Sequence, residues 1–432
     1  MQIRAEPVEH GPMLAAAMQT RVMEGVEVEA AVAQASAGEQ SGAGGVPGGT
    51  GWQPSSPLQL NGRGTARALR CRVLQSPLAG VSDRIFRGLV RRWAPDALLF
   101  TEMVNATSLE LGHGRIKVEE LASEAGPIAV QLFDHRPEAL AEAARRAEAA
   151  GAFLIDINMG CPVRKIARKG GGSGLIRDPD LAARLVEAVA SAVALPVTVK
   201  TRLAWCGAAE SAAEDGGVAD GGAADSGAAE KGAAEGAAAT PGVTTSAVTT
   251  AGVTPAAIAW CRRLESAGAR LLTLHGRTRA QGFRGQADWG AIAAVKASLQ
   301  IPLIANGDIH SPADALHCLR ITGADGVMVG RGTMGAPWLV GQIDAALSGR
   351  AVPPAPDALG RICLAAEQLQ ALVQARGDHG LLIARKHMGW TCTGFAGAPQ
   401  LRHALMRAPT PADALALLQQ AAEPLGGLGA LG

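Results

Sequence analysis

Eight short apolar runs alternate with helical segments through most of this chain. They lie at 72–76, 97–102, 128–133, 153–158, 196–201, 271–276, 302–307 and 326–331. Strands that are buried on both faces of a sheet read as such continuous runs, and amphipathic segments such as 137–151 and 180–194 follow several of them. The pattern predicts an α/β fold, a (β/α)8 TIM barrel over residues 70–352. A doubly wound open sheet is the alternative fold, although eight such units favour closure.

The chain outside these units divides into three parts. Residues 353–432 follow a Pro-rich linker and contain helical patterns at 361–376, 381–395 and 411–425, which predict a C-terminal all-α helical domain. Residues 1–69 are rich in Ala, Gly and Gln, and we expect a flexible N-terminal extension. Residues 206–254 are almost entirely small or polar and bury too little apolar surface to offset chain entropy. We therefore predict that 206–254 is a disordered low-complexity insertion in the barrel.

Charge is distributed unevenly along the chain. The formal net charge is +1, but residues 206–254 carry −6 and residues 1–69 carry −2, so the rest of the chain carries +9. A basic body is compatible with a polyanionic partner such as RNA. The seven cysteines are scattered, odd in number and without a CxxC pair, which excludes a disulfide framework and a standard zinc site as default interpretations. Such cysteines fit a reducing compartment, so we expect a cytoplasmic protein. No apolar run approaches the ~20 residues of a membrane-spanning helix.

Polar residues and glycines follow the predicted strands at their carboxyl ends, where parallel barrels carry their active sites. Any single one could merely satisfy loop backbone, but the whole set favours a functional site. Two glycine turns, at 305–309 and 329–332, present backbone N–H groups that attract phosphate, and Arg331 and His275 could add cationic contacts. The set comprises Glu102, Gln131, Asn158, Lys200, His275, Asn306, Asp308, Gly330 and Arg331.

Two further side chains point to chemistry. Lys200 could pair with a barrel carboxylate, or it could face a group that becomes anionic, such as a reduced flavin. Cys161 follows Asn158 on a loop that Pro162 keeps from starting a helix. Cys is usually a small buried apolar residue, but a protonated thiol with a pKa near ~8.5 can act as a general acid. The bases that follow, including Arg164 and Lys165, would favour the thiolate and oppose that role.

Several motifs in the same order resemble the tRNA-dihydrouridine synthases, of the bacterial, FMN-dependent type. Residues 156–179, DINMGCPVRKIARKGGGSGLIRDP, resemble the signature loop of that family, and SPLAGVSDRIFR at 76–87 resembles its first-strand motif. LHGRTRAQGF at 274–283, IANGDI at 304–309 and VMVGRG at 327–332 match later motifs. IARKHMGW at 383–390 resembles the basic helix of the C-terminal domain. The resemblance covers roughly 70–205 and 255–425; the insertion and the N-terminal extension have no counterpart in it.

The resemblance implies an FMN-binding barrel that reduces the C5=C6 bond of uridines in the tRNA D-loop, with NADPH as electron donor. Cys161 would protonate the base, and the helical domain would bind tRNA. The substrate or tRNA contacts would be Asn158, Lys165, Arg277, Arg385 and Lys386. The flavin contacts would be Leu78, where the family often has Met, with Ala79, Gly80, Gln131, Lys200, His275, Asn306, Gly307, Asp308, Gly330 and Arg331. We expect a monomer without a metal ion or a membrane segment.

Two other functions stay open on the sequence. An FMN barrel that acts on a free pyrimidine, similar to dihydroorotate dehydrogenase, would explain the flavin site and a loop cysteine. It would not explain the basic helix around Arg385, Lys386 and His387. A catalytically idle barrel that only binds RNA would explain the basic body, but it would not explain Cys161, Lys200 and the two glycine turns.

Overall fold

The computed structural model describes residues 57–206 and 253–426. Most of the predicted extension and insertion therefore lies outside the described residues. The described strands are β1 (Leu58–Asn61), β2 (Ala66–Leu69), β3 (Val73–Gln75), β4 (Leu98–Phe100), β5 (Val104–Asn105), β6 (Ile128–Phe133), β7 (Leu154–Met159), β8 (Val197–Arg202), β9 (Leu271–His275), β10 (Leu303–Asn306) and β11 (Gly326–Val329).

Eight of these strands form a closed parallel barrel. Their order runs β4-β3-β11-β10-β9-β8-β7-β6, and pairing between β4 and β6 closes the ring. Each predicted apolar run overlaps one barrel strand, so the prediction of a (β/α)8 barrel is confirmed and the open sheet is excluded. The two-residue strand β5 pairs with the end of β6 and was not predicted, because it is too short to give a period.

Helices surround the barrel and continue beyond it. They are α1 (Arg84–Trp93), α2 (Ala106–Glu110), α3 (Ile116–Glu119), α4 (Pro137–Ala149), α5 (Arg164–Ala167), α6 (Pro179–Ala192), α7 (Val253–Ser266), α8 (Trp289–Ser298), α9 (Pro312–Thr322), α10 (Leu339–Leu347), α11 (Ala358–Arg376), α12 (His379–Thr391), α13 (Ala398–Leu405) and α14 (Pro411–Ala422). Several begin at a side-chain cap, as at Asp178 before α6 and Ser311 before α9, each followed by Pro in the first turn. None of the described helices has the length and apolar character needed to cross a membrane.

The amino end of the barrel is closed by a hairpin of β1 and β2. Leu60 and Leu69 are 1% and 2% exposed and pack with Leu74, Leu98 and other residues of the barrel interior. Residues 57–69 fall within the segment predicted as a flexible extension, and for them that prediction is corrected. The reason is that one buried leucine on each strand, Leu60 and Leu69, anchors the hairpin against the barrel core. Two apolar residues are too few to give a recognisable strand pattern in the sequence.

The C-terminal region is helical, as predicted. Helices α11, α12, α13 and α14 bury a separate apolar cluster that includes Leu369, Met388 and Leu418. Helix α13 was not predicted, since only eight residues with a Pro in the first turn give a weak helical period. Leu364 of α11 packs with Leu89 of α1 and with Trp338, which fixes the helical region beside the barrel mouth. The boundary at residue 353 stays a prediction.

Candidate active site

A cavity of about 260 Å³ opens at the carboxyl ends of the barrel strands. Its apolar wall includes Met103, Phe283 and Met328, which sequence analysis did not single out. The predicted site residues that line it are Leu78, Ala79, Gln131, Asn158, Cys161, Lys200, His275, Asn306, Gly307, Asp308, Gly330 and Arg331. The structure thus brings most of the predicted residues to one place.

Six predicted residues do not line this cavity, namely Gly80, Glu102, Lys165, Arg277, Arg385 and Lys386. Gly80 follows Ala79 on the rim, where its carbonyl accepts a hydrogen bond from Lys386 of α12 and its N–H donates to Glu102. Lys165 is exposed on α5. Arg385 is half-buried and donates to the Ala408 carbonyl at 2.9 Å, so it ties α12 to the following helices. Arg277 is buried and lines an adjoining pocket together with Asp308 and Arg331.

Lys200 extends from β8 into the cavity. In residues 57–206 and 253–426, no hydrogen bond or ion pair engages its ammonium. Burial and the nearby Arg202 lower the pKa of Lys200 to about 8, against the opposing charge of Asp156. The sequence alternative of a direct salt bridge with a barrel carboxylate is not observed, and the cation is available to an anionic ligand.

The turn after β10 holds an unusual backbone conformation. Gly307 has φ 119°, and a Cβ atom there would lie 2.9 Å from the His275 ring. Asp308 has φ 56° and is the one non-glycine residue with positive φ in the described part of the chain. Its carboxylate accepts from Arg277 Nη2 at 2.7 Å and from the Ala287 N–H at 2.7 Å. These contacts hold a strained turn that opens toward the cavity.

His275 carries no charge at neutral pH. Burial, reinforced by Lys200, Arg202 and other cations, lowers its pKa far below the ordinary value. The expectation of a cationic contact from His275 is therefore wrong. Arg277 Nη1 lies 3.3 Å from His275 Nε2, and because guanidinium only donates, Nε2 must accept and Nδ1 must carry the proton. His275 can thus offer one N–H donor.

Arg277 supports the strained turn. Its side chain is 2% exposed and donates to Asp308, to the Arg284 carbonyl at 3.1 Å and to the Gly285 carbonyl at 2.5 Å. An enclosed guanidinium with so many protein acceptors supports the turn at Asp308. Its substrate contact stays a prediction.

Replacing Arg277 with Met is expected to lower the free energy of unfolding by about 3 kcal/mol, because the Asp308 carboxylate and several carbonyls lose their donor. Urea unfolding followed by circular dichroism measures the change. The matched control is Arg284→Met, which removes an exposed guanidinium of the same loop and should change stability by less than about 0.5 kcal/mol. Equal stability of the two variants would remove the supporting role of Arg277.

Cys161 lies on the loop after β7 and reaches the cavity wall. Burial raises the pKa of its thiol, and this outweighs the opposing effects of the Val163 N–H, Arg202 and Lys200. The side chains of Arg164 and Lys165 are exposed to solvent. The thiol is therefore protonated at neutral pH, which resolves the conflict that the neighbouring bases raised in the sequence.

Two buried charged residues at the site escaped sequence analysis. Arg202 is 3% exposed and donates from Nε to the Gly160 carbonyl at 2.8 Å and from Nη1 to the Thr278 carbonyl at 3.0 Å. Asp156 is fully buried inside the barrel. Each lies two residues from a predicted site residue on the same strand, so strand alternation alone would have placed both side chains on the inner face.

The match to a family model settles the relationships of this chain. The family described as "Dihydrouridine synthase (Dus)" matches residues 74–224 and 254–425. The chain belongs to the dihydrouridine synthase family. The resemblance and the expected enzyme class are thereby confirmed.

Curated relatives agree over most of their length. The chain is 43% identical over 367 residues to "Probable tRNA-dihydrouridine synthase 1" of Synechocystis sp., covering 85% of this chain and 90% of that protein. It is 40% identical over 356 residues to "Probable tRNA-dihydrouridine synthase" of Rhodobacter capsulatus, covering 81% and 94%. It is 37% identical over 349 residues to "tRNA-dihydrouridine synthase B" of Xanthomonas axonopodis pv. citri, covering 80% and 91%.

In the described ranges of this family member, no group of three or more His, Cys, Asp or Glu side chains comes together to hold a metal ion.

Proposed function

We propose that this dihydrouridine synthase reduces the C5=C6 bond of uridines in the tRNA D-loop, using FMN that NADPH reduces, with Cys161 as the proton donor. The observation that carries the proposal is the Cys161 thiol, whose pKa burial raises, on the wall of a cavity that also holds the Lys200 ammonium, which is unpaired among the described residues. The names of the relatives supply the substrate class.

The cavity offers three kinds of contact that suit FMN: an apolar surface, a cation and a turn for a phosphate. The backbone of Leu78 and Ala79 and the side chain of Met328 offer an apolar surface for a flat ring system. Lys200 offers a charge for its polar edge, and the turn at Gly307 and the exposed Arg331 suit a phosphate. The residues present therefore fit the cofactor, which when bound supplies a hydride to the base.

The chain's own residues perform the remaining tasks. Asn158 is 8% exposed on the cavity wall and holds the base there. Cys161 keeps its proton through burial and gives it to C5 of the pyrimidine as the hydride reaches C6, so the double bond gains one hydride and one proton. Lys200 supplies positive charge beside the polar edge of the cofactor, where reduction places negative charge.

Recognition of RNA falls to the surface around the cavity. A target base must leave its stack to reach the cavity, at a cost of a few kcal/mol that contacts with the RNA backbone offset. Arg164, Lys165, Arg168 and Lys169 are exposed next to Cys161 and can bind phosphates. Lys386 hydrogen-bonds to Gly80 and so also links the helical region to the loop that carries Leu78 and Ala79.

The purified protein is expected to be yellow, with a flavin absorption band that returns when FMN is added after its removal. Incubation with NADPH and unmodified tRNA should form dihydrouridine, and free uracil should not react. Mass spectrometry of nucleosides measures the product. Reduction of free uracil but not of tRNA would favour the alternative enzyme on free pyrimidines, and a colourless protein that does not take up FMN would refute both.

A further inference from the structure

A chain of hydrogen bonds runs from the barrel interior to the turn that carries Cys161. Gln131 Nε2 donates to Asp156 Oδ2 at 2.7 Å, and Asn158 Nδ2 donates to Gln131 Oε1 at 2.8 Å. Asn158 Oδ1 then accepts from the N–H groups of Gly160 and Cys161 at 3.1 and 2.9 Å. The other carboxylate oxygen of Asp156 accepts from the Thr198 hydroxyl at 2.6 Å. Three side chains on β6 and β7 thus connect a buried acid to the reactive turn.

The direction of every hydrogen bond in this series is fixed from its two ends, by the carboxylate of Asp156 and by the backbone N–H groups of Gly160 and Cys161. An ionised carboxylate only accepts, so Gln131 must turn its NH₂ group toward Asp156 and its carbonyl toward Asn158. Asn158 must then turn its NH₂ group toward Gln131 and its carbonyl toward the turn. Gln131 and Asn158 both line the cavity, so the orientation of their amides decides which polar atoms a ligand meets.

We propose that Asp156 is a positioning residue, whose carboxylate fixes the amides of Gln131 and Asn158 and through them the turn that carries Cys161. The proposal deepens the function proposed above, on which its meaning for catalysis rests. Asp156 does not touch the substrate; it is 0% exposed and acts through its neighbours.

Two other contacts restrain the same turn independently of Asp156. Arg202 Nε donates to the Gly160 carbonyl, and the Ser173 N–H donates to the Cys161 carbonyl at 3.1 Å. The carbonyl groups of the turn are therefore held by these neighbours, and its N–H groups are held by Asn158 alone among the described contacts. Loss of the hydrogen bonds that lead from Asp156 to the turn should therefore make the turn more mobile, while the contacts to its carbonyl groups keep it in place.

The orientation of Asn158 also has a consequence for what the cavity can bind. Its carbonyl faces the turn, whereas its nitrogen lies toward Gln131 and 3.8 Å from the thioether of Met103, both on the cavity wall. Thioether sulfur is a weak acceptor that a stronger one can replace. The N–H that faces Met103 is therefore the one that a stronger acceptor in the cavity can take up.

The test measures how accessible the Cys161 thiol is in the flavin-loaded full-length protein. Iodoacetamide labelling is followed by peptide mass spectrometry, with Cys206, the other partly exposed cysteine of the described residues, as the internal reference. Asp156→Asn keeps the size of the side chain but allows the Gln131 amide to bond in either orientation. Labelling of Cys161 should rise about fivefold, the equivalent of one hydrogen bond, while that of Cys206 stays within about twofold.

Burial raises the pKa of Asp156 to about 7, against the hydrogen bonds from Gln131 and Thr198 and the charge of Lys200. Asp156→Asn is therefore expected to fold, since below this pH the native side chain is itself protonated and neutral. The labelling is done at pH 8, where the carboxylate of the native protein is ionised. If it does not fold, Gln131→Met breaks the chain at its middle and should give the same change at Cys161. Thr198→Val removes a bond to Asp156 that lies off the chain, so Cys161 labelling should stay within about twofold.

Three outcomes would overturn the proposal. The first is unchanged Cys161 labelling in both Asp156→Asn and Gln131→Met. The second is an equal rise in labelling at Cys161 and Cys206. The third is a rise in Cys161 labelling in Thr198→Val as large as that in Asp156→Asn. On tRNA, Asp156→Asn should lower kcat about fivefold with KM within about twofold, because the RNA surface is untouched. Labelling does not require turnover, so a protein that fails to form dihydrouridine refutes the proposed function but leaves the positioning result interpretable.

Discussion

Cys161→Ala is expected to lower the rate of dihydrouridine formation about 10³-fold while the purified protein keeps its flavin. Burial raises the pKa of the Cys161 thiol, so the thiol keeps its proton and can donate it. Without the thiol, only water is left to protonate the base. The flavin should stay bound because its predicted contacts, such as Lys200 and Gly307, come from other strands.

Single-turnover kinetics with reduced protein and unmodified tRNA measure this step, and absorbance measures flavin content. The matched control is Cys206→Ala, which removes the other partly exposed thiol of the described residues and should leave the rate within about twofold. Wild-type activity in Cys161→Ala would exclude the thiol as the proton donor. Loss of flavin together with activity would instead show that Cys161 is needed to build the cavity.

The same reasoning gives a pH dependence for the native protein. Burial raises the pKa of Cys161, so the thiol stays protonated through neutral pH and becomes a thiolate only in the alkaline range. The single-turnover rate at saturating flavin is therefore expected not to fall between pH 6 and pH 8, and to fall only in the alkaline range, where the thiol ionises. A rate that falls as the pH rises from 6 to 7 would mean that the neighbouring cations, and not burial, control the thiol.

The fold could be predicted from the sequence because burial on both faces imposes a strong pattern. Each barrel strand is an apolar run, and closure follows from having eight of them. The hairpin at Leu58–Leu69 and helix α13 gave weak signals, since their few apolar residues pack against surfaces that other elements create. Those surfaces exist only after the chain has folded.

The site was predictable only at the level of which residues converge. Strand ends identified Gln131, Asn158 and Lys200, but not how their charges and hydrogen bonds combine. His275 looks like a cation in a sequence, yet its burial among Lys200, Arg202 and Arg277 keeps it neutral. These properties depend on desolvation and on neighbours from other strands, and neither can be read from local sequence.

Lys200→Met is expected to weaken FMN binding about 100-fold. The substitution keeps the length of the side chain but removes a charge that meets no protein partner in the described residues. Its loss leaves the polar edge of the cofactor without a cation, and a charge-assisted contact in a desolvated site contributes about 3 kcal/mol. Fluorescence titration of the flavin-free protein with FMN measures the affinity.

A charge on Lys200 also predicts how FMN affinity changes with pH. Its pKa is lowered to about 8, so the ammonium is charged below this pH and becomes neutral above it. Affinity should therefore be constant below pH 8 and decrease above it in the wild type, whereas Lys200→Met should lack the decrease. Lys165→Met, which removes an exposed ammonium near the same cavity, should leave FMN affinity unchanged and should reduce the salt dependence of tRNA binding. Equal loss of FMN affinity in Lys200→Met and Lys165→Met would contradict this prediction. It would mean that the overall positive charge around the cavity holds the cofactor, and not the ammonium of Lys200 in particular.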